Sequence, residues 1–563
     1  MKAADWIVDF LISKDVTDVF GLPGAVVLEL LYAMDRRRSK LTPHLNYHEQ
    51  GAAFAACGYA QATGKLGVAY ATRGPGMTNM LTAIADAYYD SVPTMFLTAH
   101  SSGKKNPKMR AENNQEIDTV AIAASVTKYA ARVDDVAELQ HQLQEAYTIA
   151  TTGRKGPVFL DIASSVLRQE MEPKESPSIQ KVFGAADVER IANEITAKLQ
   201  EAKRPVILIG GGVRQSGTVE LVRKLAGKSS IPVLSSRTTH DILPDLPMYF
   251  GFIGSHGTRY SNFILSKSDF ILALGNRMAF PVGSKSFHPV VERAVTIRVD
   301  IDESEFLREM PDSTCYQVGL ETLLPELLKK DLSYSNAARW IAVCEELKQA
   351  LEQWDKTAAV DALMYLIKTE ESKSTFVCDV GNHSFLVTNA CVYSGAQNRT
   401  IYSGSFGTLG SALPKAIGAY YGTGWPVVCF VGDQGFQMNI QELQFIVQHQ
   451  LPITVVIINN LSSAMIRERE MKLFSHLVHT TLESGYSVPD FQAVASAYGL
   501  NYRYIEDSTA LAQNNISWTD VPCLIELRVD GTEILRPNLP MGKPCQDLAP
   551  ALPEKLYQQL ESL

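Results

Sequence analysis

The residues best suited to do chemistry in this chain stand at the ends of two apolar runs. Asp433 follows the run Pro426–Val431, and Asn460 closes a second run, Ile453–Ile458; both runs read as buried strands. Gly432-Asp433-Gln434-Gly435 allows a tight turn and a close approach of backbone to a ligand. Ile440, Leu443, Ile446 and Val447 recur at helical spacing, and Pro452 stops that helix. A strand, a helix and a strand in this order predict two parallel, neighbouring strands. Asp433 and Asn460 then share the carboxyl edge of the sheet, where open α/β sheets bind ligands. A carboxylate and an amide oxygen there suit a hard divalent cation such as Mg²⁺, which also takes oxygens from a phosphate. Each residue alone has a plainer use, since Asp-Gly makes turns and Asn-Asn ends strands.

A second candidate is Glu49. It follows a short strand-like run, Leu45–Tyr47, and opens a segment, Glu49–Thr63 (EQGAAFAACGYAQAT), that is apolar on most helical faces and so has to be buried. The helix dipole partly stabilises a glutamate at its start. Buried glutamates are uncommon and are normally hydrogen-bonded, so Glu49 is either a capping carboxylate or a functional one.

The elements that must hold these residues alternate between helix and strand along the whole chain. With 563 residues, 46% of them hydrophobic, there is material for three or four domains. Residues 1–170, 185–330 and 355–545 are expected to form three α/β domains with doubly wound parallel sheets. The polar stretch 171–184, with two prolines, is the expected linker, and 331–360 the helical connection. In the middle domain Pro205–Ile209 reads as a strand ending in Gly210-Gly211-Gly212, which could cradle a dinucleotide phosphate, although three glycines alone are weak support.

Composition excludes several classes. Net charge is −9 and no long basic run occurs, which speaks against nucleic acid as a partner. No apolar run reaches the roughly 18 residues that span a bilayer, and the N-terminus reads as an amphipathic helix rather than a signal peptide. Eight cysteines are scattered, mostly in apolar runs, as expected of reduced thiols in a cytoplasmic protein.

Taken in order, FGLPG (residues 20–24), HEQGAAFAA with GYA and ATGK, T-GPG-TN (72–79), DSVP (90–93), QE-D (115–118) and GPVFLDI (156–162) resemble the pyrimidine-binding domain of thiamin diphosphate enzymes. The likeness is closest to the acetohydroxyacid synthase (acetolactate synthase) group and runs almost end to end. Asp433 and Asn460, at the spacing 460 − 433 = 27, resemble that family's GDG…NN motif, with Gln434 in place of glycine. The resemblance implies that Asp433, the Asn460 side chain and the Ser462 carbonyl bind Mg²⁺, which anchors the diphosphate. It makes Glu49 the catalytic group that hydrogen-bonds the aminopyrimidine ring. It places Pro23, Gly24, Pro75 and Asn79 around that ring. Val380-Gly381-Asn382-His383 resembles the family's VGQHQ turn, so Gly381, Asn382 and His383 would meet the diphosphate, with Gly432, Gln434 and Gly435. Ser403–Pro414 resembles its SGGLGTMG segment: the Gly407 carbonyl would accept from the cofactor's amino group, and Leu409 would be the apolar wedge beneath it, with Met465 close by.

The implied activity is a carboligation in which a 2-oxo acid, pyruvate first among candidates, loses CO₂ and its acyl unit passes to a carbonyl acceptor. Simple 2-oxo acid decarboxylation or carbon–carbon lysis is the alternative. Gln115 and Arg469 are the substrate candidates. The acceptor side departs from the family: Arg469 stands where those synthases carry tryptophan, Pro281 where they carry an arginine, and Asn114 where they carry phenylalanine. Gly254-Ser-His-Gly-Thr258 resembles their flavin-contacting segment, which makes Gly210, Gly211 and His256 candidates for FAD, although related middle domains also exist without flavin. Glu49 and Asp433 working across a subunit interface implies a homodimer or homotetramer.

Overall fold

The strands follow the apolar runs. In the computed structural model the described residues are 1–563 apart from 102–108, 110–112, 174–186, 280–284, 309, 311–312, 370–372, 507–520 and 533. Most of the expected linker and Pro281 lie outside the described residues.

The first sheet contains β1 (Asp18–Gly21), β2 (Thr42–Leu45), β3 (Gly67–Ala71), β4 (Thr94–His100), β5 (Tyr129–Val133) and β6 (Val158–Ala163), in the order β2-β1-β3-β4-β6-β5. The second contains β7 (Pro205–Ile209), β8 (Val233–Ser235), β9 (Tyr249–Phe252), β10 (Phe270–Leu274), β11 (Val295–Asp300) and β12 (Ser313–Gln317), in the order β12-β11-β10-β7-β8-β9. The third contains β13 (Thr375–Cys378), β14 (Arg399–Tyr402), β15 (Val427–Gly432), β16 (Ile453–Asn459), β17 (Asn501–Ile505) and β18 (Cys523–Arg528), in the order β14-β13-β15-β16-β18-β17. Every pairing within the three sheets is parallel, as helix-connected strands require. The doubly wound α/β class expected from the sequence is therefore observed.

The first and third sheets repeat one strand order, and the second has the order typical of dinucleotide-binding sheets. The first and third also share one apolar core, which runs from Phe20 and Ala52–Ala56 to Ile417 and Leu443. The all-round apolar Glu49–Thr63 helix lies at its centre against the helix Ala412–Thr423. Small residues let the two backbones meet: a Cβ on Gly418 would lie 1.8 Å from the Ala55 carbonyl oxygen, and one on Gly58 2.1 Å from that of Lys415. A buried ion pair, Lys415 Nζ to Asp86 Oδ2 at 2.6 Å, crosses the same junction. The second sheet has its own core, which also takes in Cys545 and Leu560 near the C-terminus.

Two local expectations need correction. The strand before Glu49 is Thr42–Leu45, and Asn46 and Tyr47 lie beyond it, because both turn to hydrogen-bond Glu442. The helix after Asp433 is broken into a 3₁₀ turn, Gly435–Asn439, and a helix, Glu442–Gln448.

Candidate active site

The adjacent parallel strands β15 and β16 end together, with Gly432 opposite Ile458. Asp433 and Asn460 therefore stand side by side and line one cavity of about 140 Å³ at the carboxyl edge of the third sheet. Asp433 is buried. Its Oδ1 accepts from the Tyr486 hydroxyl at 2.8 Å, while its Oδ2 is buried with no partner. Burial raises its pKa, against the hydrogen bond from Tyr486 and backbone N–H groups. The Asn460 amide oxygen accepts from the Ser462 N–H at 3.0 Å, which folds the loop so that Ser462 also faces the cavity.

The opposite wall is the turn after β13. Gly381 has φ +147°, which glycine adopts without strain, and a Cβ there would meet the His383 ring at 2.9 Å. His383 is buried, and burial pulls its pKa down to about 4, so it is neutral at pH 7. Its Nε2 has no partner among the described residues. Asn382 donates to Glu468 at 2.8 Å. Glu468 belongs to the helix Ala464–Phe474, so this bond ties the turn to the helix that covers the cavity. Gly432, Gln434, Gly435, Leu409 and Met465 complete the lining. Leu409 and Met465 are 38% and 39% exposed, which is unusual for apolar side chains beside a buried carboxylate.

One organising residue was not singled out from the sequence. Asp379, at the end of β13, accepts from the Gly410 N–H at 2.9 Å and the Ser411 N–H at 3.1 Å, which fixes the turn bearing Leu409. Burial raises its pKa to about 6. Tyr486 and Glu442 were missed as well. Nothing local marks them, because their partners lie far away in sequence.

The Glu49 group is assembled elsewhere. Glu49 begins its helix after His48, whose Nδ1 accepts from the Gln50 N–H at 3.1 Å. Its carboxylate is buried, and Oε2 accepts from Asn79 Nδ2 at 2.9 Å. Gly24 packs on Thr72, where a Cβ would lie 2.3 Å from the threonine Cβ. Pro75 starts the helix carrying Asn79, and Gly74 backs onto the Gln115 carbonyl. None of Pro23, Gly24, Glu49, Pro75, Asn79 or Gln115 lines the Asp433 cavity. Gly407 does not line it either, with φ +75° and open space around it. The residues around Glu49 and those around Asp433 thus share no cavity within one chain.

A second cavity of about 1400 Å³ lies between the three sheets and adjoins the first, sharing Asn382, Met465 and Leu535 with it. Arg469 lines this cavity rather than the smaller one, as do Gly210, Gly211 and His256. A Cβ on Gly210 would lie 2.3 Å from the Gly275 carbonyl oxygen, so Gly210 serves packing, whereas Gly211 faces open space. His256 Nδ1 lies 2.9 Å from the Pro537 carbonyl oxygen, and burial holds its pKa down at about 4.

A glycine-walled cavity at the carboxyl edge of a parallel sheet, with a carboxylate oxygen and an imidazole nitrogen that have no partner among the described residues, is the kind of site in which α/β enzymes receive phosphate-bearing cofactors. Known families say which one. Residues 1–122 match the thiamine pyrophosphate enzyme N-terminal TPP binding domain, 192–327 its central domain and 379–527 its C-terminal TPP binding domain. The chain is 32% identical over 557 residues to acetolactate synthase isozyme 2 large subunit of Escherichia coli, covering 96% of this chain and 98% of that one. It is 33% identical over 537 residues to acetolactate synthase large subunit of Lactococcus lactis (93% and 92%), and 30% over 573 residues to acetolactate synthase 1, chloroplastic, of Oryza sativa (97% and 87%). The chain belongs to the thiamine pyrophosphate enzymes, in their acetolactate synthase-like group. It is a thiamin diphosphate-dependent carboligase acting on small molecules. Among the described residues no helix is long and apolar enough to cross a membrane.

Proposed function

We propose that the enzyme decarboxylates a 2-oxo acid, pyruvate first, and joins its acyl unit to a carbonyl acceptor, with Mg²⁺ and a second copy of the chain completing the site. The observation that carries this reading is the buried, unpartnered Oδ2 of Asp433 beside the unpartnered Nε2 of His383. An anionic oxygen left bare in the interior is costly unless a cation reaches it. Asp433, the Asn460 side chain and the Ser462 carbonyl form an all-oxygen set, which suits Mg²⁺ with phosphate oxygens in its remaining positions. Gly381, Asn382, His383, Gly432, Gln434 and Gly435 would hold the diphosphate.

Bound thiamin diphosphate supplies the electron sink for cleavage beside the keto group. Glu49, steadied by Asn79, holds a hydrogen bond on the aminopyrimidine ring. Pro23, Gly24, Pro75, Gly407, Leu409 and Met465 shape the space for that ring, and Gln115 and Arg469 meet substrate. The donor loses CO₂, a carbon–carbon bond forms to the acceptor carbonyl, and the acceptor oxygen takes a proton.

The separation of Glu49 from the Asp433 cavity favours a homodimer or homotetramer in which one copy supplies Glu49 to its partner's cavity. The exposed apolar side chains Ile466, Met471, Leu473 and Phe474 on the covering helix suit such an interface. Residues 1–170, 185–330 and 355–545 are the proposed domains, each containing one sheet. FAD is the proposed occupant of the large cavity on the strength of the second sheet's strand order and open Gly211. Eight cysteines without a disulfide, seven of them buried, suit a reducing compartment such as the cytoplasm.

The test is mass spectrometry of products from pyruvate with a panel of acceptors. An α-hydroxy ketone and CO₂ are expected only with thiamin diphosphate and Mg²⁺ present. Acetaldehyde as the sole product would replace ligation by plain decarboxylation.

A further inference from the structure

The large cavity is lined by a largely buried cation that forms no ion pair among the described residues. Four arginines lining it have carboxylate partners: Arg154 pairs with Asp302 and Glu305, Arg277 with Glu305, and Arg214 and Arg399 both with Asp241. Arg237, in the turn after β8, has none among the described residues. Its guanidinium carbon lies 4.8 Å from the ring centroids of both Phe385 and Tyr402. Contact with a ring face does not consume the N–H donors of a guanidinium. Nη1 is buried and donates to nothing. Burial also lowers the arginine's pKa, and the more distant charge of Asp90 offsets only part of that effect.

Its position connects the two cavities. Phe385 belongs to the helix that begins at Asn382 and His383, and the charge of Arg237 is felt at both His383 and His256. A planar fork of donors held rigid by two rings is well suited to a carboxylate or a phosphate.

We infer that Arg237 is an anion-recognition residue of the interdomain cavity, receiving a carboxylate or phosphate of the ligand that occupies it. One source of that group is the carbonyl acceptor, which rests on the proposed carboligation. The other is a nucleotide seated on the second sheet, which does not.

The test compares the parent enzyme, loaded with Mg²⁺ and an unreactive thiamin diphosphate analogue that carries oxygen at the reacting ring carbon and cannot add to a keto group, with Arg237→Met and Arg237→Lys. Affinities are measured for 2-oxobutyrate, for pentane-2,3-dione as its uncharged analogue, and for ADP. If the anion belongs to the acceptor, Arg237→Met weakens 2-oxobutyrate at least tenfold and leaves pentane-2,3-dione within twofold. If it belongs to a nucleotide, the tenfold loss falls on ADP instead. In either case Arg237→Lys recovers part of the affinity, because it keeps the charge. Should Arg237→Met fail to fold, Arg237→Gln takes its place. The inference is overturned if neither anionic probe depends on Arg237, or if charged and uncharged acceptors weaken alike. Because no turnover is involved, failure of the pyruvate chemistry shows only in product analysis and is not confused with this result.

Discussion

The first and third sheets share the strand order 2-1-3-4-6-5, counted within each sheet, yet their carboxyl edges carry opposite kinds of chemistry. The turn after β3 is Thr72-Arg73-Gly74, leading to Asn79 and the buried carboxylate of Glu49. In the equivalent slot after β15 stands Asp433, with one oxygen unpartnered. After the first strand of each sheet comes a glycine turn, Gly24 in one and Gly381 in the other. One scaffold thus presents a hydrogen-bonded carboxylate at one edge and a carboxylate with a bare oxygen at the other, which the proposed reading assigns to the cofactor ring and to the metal. The environment of the carboxylate sets its work: Glu49 is satisfied by the protein, whereas Asp433 is left for something the protein does not supply.

The sharpest way to break that comparison is to remove each charge in turn. Glu49→Gln keeps size and hydrogen-bonding shape, and turnover is expected to fall by about 10²–10⁴-fold, the range for a positioned acid–base group. Cofactor affinity, followed by calorimetry, should stay within a few-fold. Asp433→Asn should do the reverse, weakening Mg²⁺ and cofactor retention by more than the roughly 10–100-fold that loss of a ligand's supporting partner costs, with turnover recovering at high Mg²⁺. If Glu49→Gln also lost the cofactor, the division of labour between the two sheets would be wrong.

How much of this was legible beforehand follows from the range of each signal. The strands were readable because parallel strands buried on both faces form continuous apolar runs, such as Ile453–Ile458. Asp433 and Asn460 were readable because a strand–helix–strand unit puts them on one edge by local rules. The helix Glu49–Thr63 was readable from its small apolar residues, and its limits agree with the expected ones. Asn46 and Tyr47 were misread as strand because their partner, Glu442, lies some 396 positions away. Asp379, Tyr486 and Arg237 act through contacts between distant segments, which spacing along the chain does not encode. Arg469 was placed with substrate from the resemblance alone, and it lies on the larger cavity.

A smaller effect tests the junction that holds the two sheets together. Lys415 and Asp86 are each at most 1% exposed, and Asp86 also accepts from the Ser403 and Thr408 hydroxyls. Lys415→Met leaves a buried carboxylate without its cation and is expected to cost about 3–5 kcal/mol in urea denaturation. Adding Asp86→Asn should recover a large part of that loss. Full additivity of the two changes would mean that the pair does not act as a unit.

The smallest effect concerns Glu442, one of the residues through which the third domain reaches the segment leading into Glu49. It accepts from Asn46 Nδ2 at 2.9 Å and from the Tyr47 N–H at 3.3 Å, and burial raises its pKa from 4.5 to about 7. A raised carboxyl pKa means that the folded state binds a proton the unfolded chain has already released. Stability contributed by Glu442 is therefore fully present below pH 4.5 and is lost as pH rises through about 7, with the folded state penalised above that. The total change is on the order of 3 kcal/mol. Glu442→Gln stays uncharged throughout, so the variant's stability, measured by denaturant titration at several pH values, should fall less than the parent's between pH 4.5 and 7. Parallel curves for variant and parent would show that Glu442 is ionised in the folded protein, and that Asn46 and Tyr47 face a charge rather than a neutral acid.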